Sequence, residues 1–104
     1  MPDWRSPAFD WDPWEGGNGD KLIARHDVYP VEAEQVFYNG AQVIRHGSNG
    51  QGEPRYSIYG QDDTGRYLFL VCVLRGVLVR VYSARDMTER ERQHYRERRQ
   101  GERR

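Results

Sequence analysis

The chain has 104 residues, the length of one domain, and it can bury little more than one sheet with a few helices. Its mean hydropathy is −0.99, but 12% of the residues are aromatic, which argues against a chain that is disordered throughout. The formal net charge is zero. The apolar runs are too short for a membrane span and the first residues lack a signal-peptide pattern, so we expect a soluble, cytoplasmic protein.

The first half of the chain predicts one short strand and two helices. Residues 9–11 alternate apolar and polar side chains and predict a strand, after a polar lead-in of residues 1–8. A Gly-rich loop follows that lacks the ending of a phosphate-binding P-loop. Residues 20–26 predict a helix capped by its first residue. A second helix is expected to start at Pro30 and to end at residues 39–40.

The second half predicts four strands and a last helix. A capping-box pattern at Thr88 and Glu91 starts this helix, which runs toward Arg99. The expected strands are residues 42–45, 55–60, 66–74 and 77–84. The order indicates an α+β fold with a mainly antiparallel sheet of four to five strands and with the helices against one face. We expect a single domain over residues 1–104, ordered from about residue 9 to 99, with an arginine-rich tail.

Charge is distributed unevenly along this chain. Residues 1–74 carry six basic and eleven acidic side chains, whereas residues 75–104 carry ten arginines, five acids and no lysine. A guanidinium can bind a phosphate or a carboxylate with two hydrogen bonds. The basic segment has two interpretations: the codon preference of a GC-rich genome with a solvated helix face, or an anionic partner, either RNA or an acidic protein.

Strand alternation suggests where candidate functional side chains lie. Strict alternation in the last strand predicts that Val79, Val81 and Ser83 share one face, and that Arg80, Tyr82 and Ala84 share the other. In the strand of residues 55–60, the same rule groups Arg55, Ser57 and Tyr59. If the polar faces coincide, their arginines and tyrosines form a surface that can bind a phosphate and stack a base. The alternative is an exposed sheet face with ordinary cross-strand pairs.

Metal and thiol chemistry have little support in the sequence. The three histidines lie far apart, and neither an HExxH nor a CxxC spacing is present, so we expect no metal site and no cofactor. Cys72 lies in an apolar run and is expected to be a buried hydrophobic residue. His26 stands at a helix end, where it either complements the helix dipole or acts as a phosphate contact or a general acid.

Five blocks of this sequence resemble the BrnT toxin family. The first two are a Phe-x-Trp-Asp start and an Arg-His pair before a Glu-rich helix. The other three are a Gly-Arg-x-Leu-Phe strand, an Arg-x-x-Ser-Ala-Arg strand and a Glu-Arg-x-x-Tyr helix. In this chain the blocks are residues 9–13, 25–37, 65–71, 80–85 and 91–95. Their order and spacing are similar to those of the family.

The family pattern is not matched everywhere. Asp27 stands where the family usually has Gly, and Tyr29 stands where a capping Ser or Thr is common. Leu22 replaces an Asn that usually precedes the basic-His pair by three residues. The departure at Leu22 makes a catalytic contribution from the first helix less expected.

The resemblance implies a RelE-like fold and the toxin half of a type II toxin–antitoxin pair of bacteria or archaea. It further implies a metal-independent endoribonuclease that blocks translation. The partners would be RNA and a small cognate antitoxin, BrnA-like, encoded next door. We expect a hetero-oligomer that contacts DNA only through the antitoxin, because no helix-turn-helix precedes the basic last helix.

The candidate site residues follow from the arginine–tyrosine surface together with the family resemblance. Metal-free RNA cleavage uses the substrate's own 2′-hydroxyl, so the protein must stabilise the charge that develops on the phosphate. The expected catalytic residues are His26, Arg55, Arg80 and Arg85, and the expected RNA-binding residues are Tyr59, Tyr82, Ser83 and Tyr95. The alternative is a catalytically inactive, toxin-like module that binds an acidic protein partner.

Overall fold

Three helices and a five-stranded sheet make up residues 2–102, the part of the chain that this computed structural model describes. The strands are β1 (Ala8–Phe9), β2 (Gln42–Ser48), β3 (Pro54–Gln61), β4 (Tyr67–Arg75) and β5 (Leu78–Asp86). The helices are α1 (Asn18–His26), α2 (Pro30–Tyr38) and α3 (Glu89–Glu102). The α+β class, with two helices before the four-strand meander and one after it, is therefore confirmed.

The sheet is built on consecutive hairpins. Its strand order is β1-β5-β4-β3-β2, and every pair is antiparallel except β1 with β5. The N-terminal strand thus joins the far edge of the sheet, beside the last strand, while β2 forms the other edge. β2 runs to Ser48, three residues beyond its expected end, and β5 runs to Asp86.

Both N-terminal helices have end signals that can be traced to single residues. Asp27 ends α1 in the left-handed conformation (φ 54°, ψ 41°), and its N–H donates to the carbonyl of Ile23. Pro30 takes the first position of α2, as expected. The expected cap at Asp20 is wrong, because α1 begins at Asn18 and Asp20 lies inside its first turn. The Asp20 carboxylate accepts a hydrogen bond from the Gly16 N–H, which precedes the helix.

The hydrophobic core lies between one face of the sheet and the first two helices. The two helices contribute Leu22, Ala33, Val36 and Phe37, and the connection between them contributes Val28. The sheet contributes Tyr56, Ile58, Leu68, Leu70, Cys72, Leu74, Val79, Val81 and Ala84. The N-terminal segment also reaches this core. The Trp4 ring, in the expected lead-in, lies 4.7 Å edge-on from Tyr56 and 6.3 Å from Phe37, centroid to centroid.

A β-bulge in β5 changes which side chains share a face. Val71 pairs with Ser83 while Cys72 pairs with Val81, so Tyr82 is the extra residue. The prediction of strict alternation is wrong from this point on. Ala84 is buried in the core, whereas Ser83 and Arg85 lie on the opposite face with Arg80.

The last helix does not lie with the other two. Tyr95 of α3 is 2% exposed, and its ring meets that of Tyr67 at 6.0 Å, on the sheet face away from the core. The Gln42 side-chain amide donates to the Tyr95 carbonyl, which ties α3 to the β2 edge. The expectation that all helices pack against one face is therefore wrong. The sheet face opposite the core, hereafter the outer face, is covered by α3 at one end only.

Close packing of α2 on β3 gives a test of the core. A Cβ added at Gly60 would lie 2.8 Å from Cγ1 of Val36 and 3.3 Å from Cβ of Ala41, so Gly60→Ala should force the helix away from the sheet. We expect a loss of about 1–3 kcal/mol in the free energy of unfolding, measured by urea denaturation. Gly50→Ala is the matched control, since nothing lies within 4 Å of its added Cβ. Equal stability of the two variants would contradict this account of the packing.

Candidate functional site

The outer face carries polar and aromatic side chains in three rows across β3, β4 and β5. The rows follow from the strand register. They are Arg55–Val73–Arg80, Ser57–Val71–Ser83 and Tyr59–Phe69–Arg85. Arginines and hydroxyls therefore flank a central apolar strip supplied by β4.

A groove of about 330 Å³ runs across the middle of this face. It is lined by residues from β2, β3, β4 and β5. Its lining residues are His46, Arg55, Ser57, Phe69, Val71, Tyr82 and Ser83. We call this depression the outer groove. Of the eight site residues expected from the sequence, it brings together Arg55, Tyr82 and Ser83.

Arg55 is the arginine that lines the outer groove. Its Nε donates to the backbone carbonyl of His46 at 3.0 Å, which holds the side chain across the β2–β3 pair. Within residues 2–102 it forms no ion pair with a carboxylate. Arg55 therefore presents a positive charge to the groove that no described side chain neutralises.

Arg80 has a carboxylate partner that no local sequence pattern predicts. Its two terminal nitrogens donate to the two oxygens of Asp12, both at 2.8 Å, and Asp10 lies 3.6 Å away. These bonds, chiefly those from Arg80, lower the pKa of Asp12 to about 2. Arg80 is thus held in a bidentate pair at the β1 side of the sheet and does not line the outer groove.

Asn18 fixes the position of Asp12, the carboxylate partner of Arg80. It is 4% exposed, accepts a hydrogen bond from the Asp12 N–H, and donates to the carbonyls of Asp10 and Val81. Its own N–H donates to the Asp12 carboxylate. One buried amide therefore joins the N-terminal segment, the start of α1 and β5. The only sequence signal was an Asn in a Gly-rich loop, which is also typical of an ordinary turn.

Arg85 is also engaged by a carboxylate. Its terminal nitrogens donate to the two oxygens of Glu91 at 2.7 and 3.0 Å, and its guanidinium lies 4.3 Å from the Phe69 ring centroid. Glu91 also accepts the Thr88 N–H at 2.8 Å, which confirms the expected capping box. The pair raises the pKa of Arg85 and lowers that of Glu91, so both stay charged.

A second cleft, of about 340 Å³, lies between α3 and the β2 edge. Its lining residues are Gln42, Ile44, Tyr59, Thr88, Arg90, Glu91, His94, Tyr95 and Arg98. Burial, and then the charge of Glu91, raises the pKa of Tyr59. The Tyr95 ring is too buried to stack on a base, and its hydroxyl accepts a hydrogen bond from Arg99; it anchors α3 instead.

His26 lies apart from both clefts. It is exposed at the end of α1, and its backbone carbonyl accepts a hydrogen bond from Arg66. Arg66 also pairs with Asp86 and Glu32, and it is the main cause of the lowered pKa of Asp86, to which the charges of Arg92 and His26 also contribute. The structure thus places His26 in a charged cluster at the end of β5 and not in the outer groove.

Other sites have less support. Among the described residues, no group of three or more His, Cys, Asp or Glu side chains is placed to hold a metal ion. Burial raises the pKa of Cys72 to about 12, which fits its place in the core. None of the helices in residues 2–102 is long and apolar enough to cross a membrane.

Residues 14–91 match the family model of the ribonuclease toxin BrnT of type II toxin–antitoxin systems. The chain belongs to the BrnT toxin family. No curated protein sequence matches it. Membership in a type II toxin–antitoxin family makes the chain a ribonuclease toxin by family and implies an antitoxin as its partner.

The family match covers every residue that lines the outer groove, but it does not cover all the residues that surround the groove. It includes all of β2 to β5 and ends at Glu91, in the first turn of α3. Asp10 and Asp12 precede the matched residues, and Tyr95 follows them. These three residues belong to the blocks 9–13 and 91–95, which resemble the family in the sequence. The carboxylates that engage Arg80 thus come from a segment outside the matched region.

The Asp12–Arg80 pair predicts a specific pH dependence of stability. Because the folded-state pKa of Asp12, about 2, lies below the ordinary value of 3.8, its stabilisation is present above about pH 4 and is lost as pH falls toward 2. The stability difference between wild type and Asp12→Asn should therefore shrink over that range. Thermal melts from pH 2 to 6 measure it.

The control for this prediction is Glu15→Gln, an exposed carboxylate-to-amide change in the same segment. Its difference from wild type should stay small across the same pH range. If the Asp12→Asn difference stays constant between pH 4 and 2, the pair does not lower the pKa of Asp12 in the folded protein.

Proposed function

We propose that this chain is an endoribonuclease toxin that cleaves RNA without a bound metal ion and thereby blocks translation, with the outer groove as its RNA site. Family membership supports the ribonuclease class. The observation that carries the location is Arg55, a positively charged side chain in a groove, with no carboxylate partner among residues 2–102.

The groove has the side chains that a phosphodiester requires. During attack of the 2′-hydroxyl, negative charge builds on the phosphate oxygens, and a fixed guanidinium stabilises it best where water is partly excluded. Arg55 supplies that charge. Ser57 and Ser83 offer hydroxyl donors on either side of the apolar strip, and Tyr82, 40% exposed at the bulge, offers a ring on which a base can stack.

Arg80 and Arg85 take a different role in this proposal from the one expected of them. Each already binds a carboxylate with two nitrogens, so each brings little net charge to a phosphate. They act as positioning residues that fix the ends of β5 on both sides of the groove. His26 lies outside the groove, and we assign it no catalytic step. Tyr59, in the second cleft, is a base contact if RNA continues beneath α3.

Cleavage of RNA by Arg55→Ala tests this assignment. We expect wild type to cut single-stranded RNA in the presence of EDTA, and Arg55→Ala to lose about 10²- to 10³-fold in rate, as when one fixed donor to a reacting oxyanion is removed. The measurement is the initial rate on a labelled oligonucleotide. Arg45→Ala is the matched control, since Arg45 lies on the other face of β2 near the Tyr56 ring.

Two results would contradict the proposal. Equal losses for Arg45→Ala and Arg55→Ala would mean that the outer groove is not the RNA site. Intact RNA at high enzyme excess, with or without ribosomes, would favour the alternative of an inactive, toxin-like module that binds its partner. The carboxylates on Arg80 and Arg85 are the observation that favours this alternative.

The proposal includes the partner and the cell compartment. We place the chain in the bacterial cytoplasm as a single RelE-like domain, neutralised by a small BrnA-like antitoxin within a hetero-oligomer. Binding to DNA would come through the antitoxin. Family membership supports an antitoxin of some kind.

The neighbouring gene tests the partnership. We expect a short adjacent reading frame whose product, when co-expressed, co-purifies with the chain and abolishes RNA cleavage in the assay above. Light scattering after size exclusion would give the stoichiometry. A co-expressed neighbour that leaves both the molar mass and the cleavage rate unchanged would count against it.

A further inference from the structure

His46 lies on the same side of the sheet as Arg55, because both side chains line the outer groove. Val43 packs against the core and Arg45 lies 5.8 Å from the Tyr56 ring centroid, whereas Gln42 and Ile44 line the cleft beside α3. His46, two residues further on, lines the outer groove. The hydrogen bond from Arg55 to the His46 carbonyl links the positions of the two residues.

His46 also differs chemically from everything else in the groove. Of the seven lining residues, Phe69 and Val71 have no polar group, and Ser57, Tyr82 and Ser83 carry hydroxyls whose oxygens already hold a proton. Arg55 has no lone pair to offer. No carboxylate lines the groove. A neutral imidazole is thus the one group there suited to accept a proton.

We infer that His46 is the general base of the RNA cleavage proposed above, an assignment that rests on that function. Its neutral imidazole takes the proton of a ribose 2′-hydroxyl while Arg55 holds the adjacent phosphate. The 2′-oxygen forms a bond to phosphorus, the bond from phosphorus to the 5′-oxygen breaks, and that oxygen takes a proton from water. The imidazolium then returns its proton to the hydroxide. The products are a 2′,3′-cyclic phosphate and a 5′-hydroxyl.

The position of His46 at the rim suits this role. It lies on the edge strand and is exposed, so a proton can pass between the imidazole and water after each turnover. The titratable and charged groups that face it are Arg55 from β3 and Tyr82 from β5, across the groove. The guanidinium has no lone pair to offer and the Tyr82 hydroxyl oxygen already holds a proton, so the imidazole nitrogen is the proton acceptor of this set.

The test compares His46→Ala and His46→Gln with wild type on a single-stranded RNA in EDTA. We expect the rate to fall about 10²- to 10⁴-fold. The wild-type rate should decrease as pH falls and the base becomes protonated, and both variants should lose this limb of the profile. Free imidazole in the buffer should restore part of the rate of His46→Ala. Binding to an uncleavable 2′-deoxy oligonucleotide should be unchanged, whereas Arg55→Ala should weaken it.

The outcomes separate this inference from the proposed function. If wild type cuts RNA and the His46 variants cut at the same rate with the same pH profile, His46 is not the base, but the ribonuclease proposal stands. If His26→Ala instead removes the pH limb, the base is His26 and RNA must reach the end of β5. If wild type does not cut RNA, both fail. A His46 variant could also lose binding of the 2′-deoxy oligonucleotide by the same factor as it loses the cleavage rate. That result would mean that the substitution removed a binding contact or disrupted the fold, and it would overturn the assignment.

Discussion

The bulge at Tyr82 is the constraint on which both the core and the outer face depend. β5 must bury apolar side chains against α1 and also carry arginines on the other side. With a period of two, Ala84 and Arg80 would fall on the same face. The extra residue shifts the second half of the strand, so Val79, Val81 and Ala84 all reach the core and Ser83 and Arg85 join Arg80. It also leaves the Tyr82 ring exposed at the groove.

The uneven charge along the chain has an explanation in the fold. Acids from the N-terminal part pair with arginines from the C-terminal part: Asp10 and Asp12 with Arg80, and Glu53 with Arg75. Two arginines of the basic segment, Arg75 and Arg80, are therefore paired with acids from the first part of the chain. The positive charge that remains available to an anion in the outer groove comes from Arg55, an isolated arginine in the acidic part of the chain.

Local patterns were enough to predict the element order, the strand faces of β3, the ends of α2 and the start of α3. Each depends on short-range rules, such as the fixed φ of Pro30 or the reciprocal bonds of Thr88 and Glu91. The pairings Asp12–Arg80 and Asn18–Val81 join residues more than 60 positions apart, and no local rule predicts them. The bulge was missed for a related reason, because it is a property of the β4–β5 register and not of β5 alone.

The candidate site was predictable in part. The alternation of β3 pointed to Arg55, and the arrangement of β5 pointed to Tyr82. His46 was overlooked because the expected strand ended at residue 45, whereas β2 continues through His46 to Ser48. His26 was preferred for the acid–base chemistry of an imidazole at a helix end, but residue type carries no information about the direction in which a helix end faces.

One carboxylate, Glu91, serves two partners: the guanidinium of Arg85 and the first free N–H before α3. An anion that binds Arg85 must compete for a group that also stabilises the start of the helix. Occupancy of that arginine and order in the first turn of α3 are therefore thermodynamically linked. The linkage is reciprocal: the factor by which a bound anion destabilises the turn is the factor by which formation of the turn weakens anion binding at Arg85.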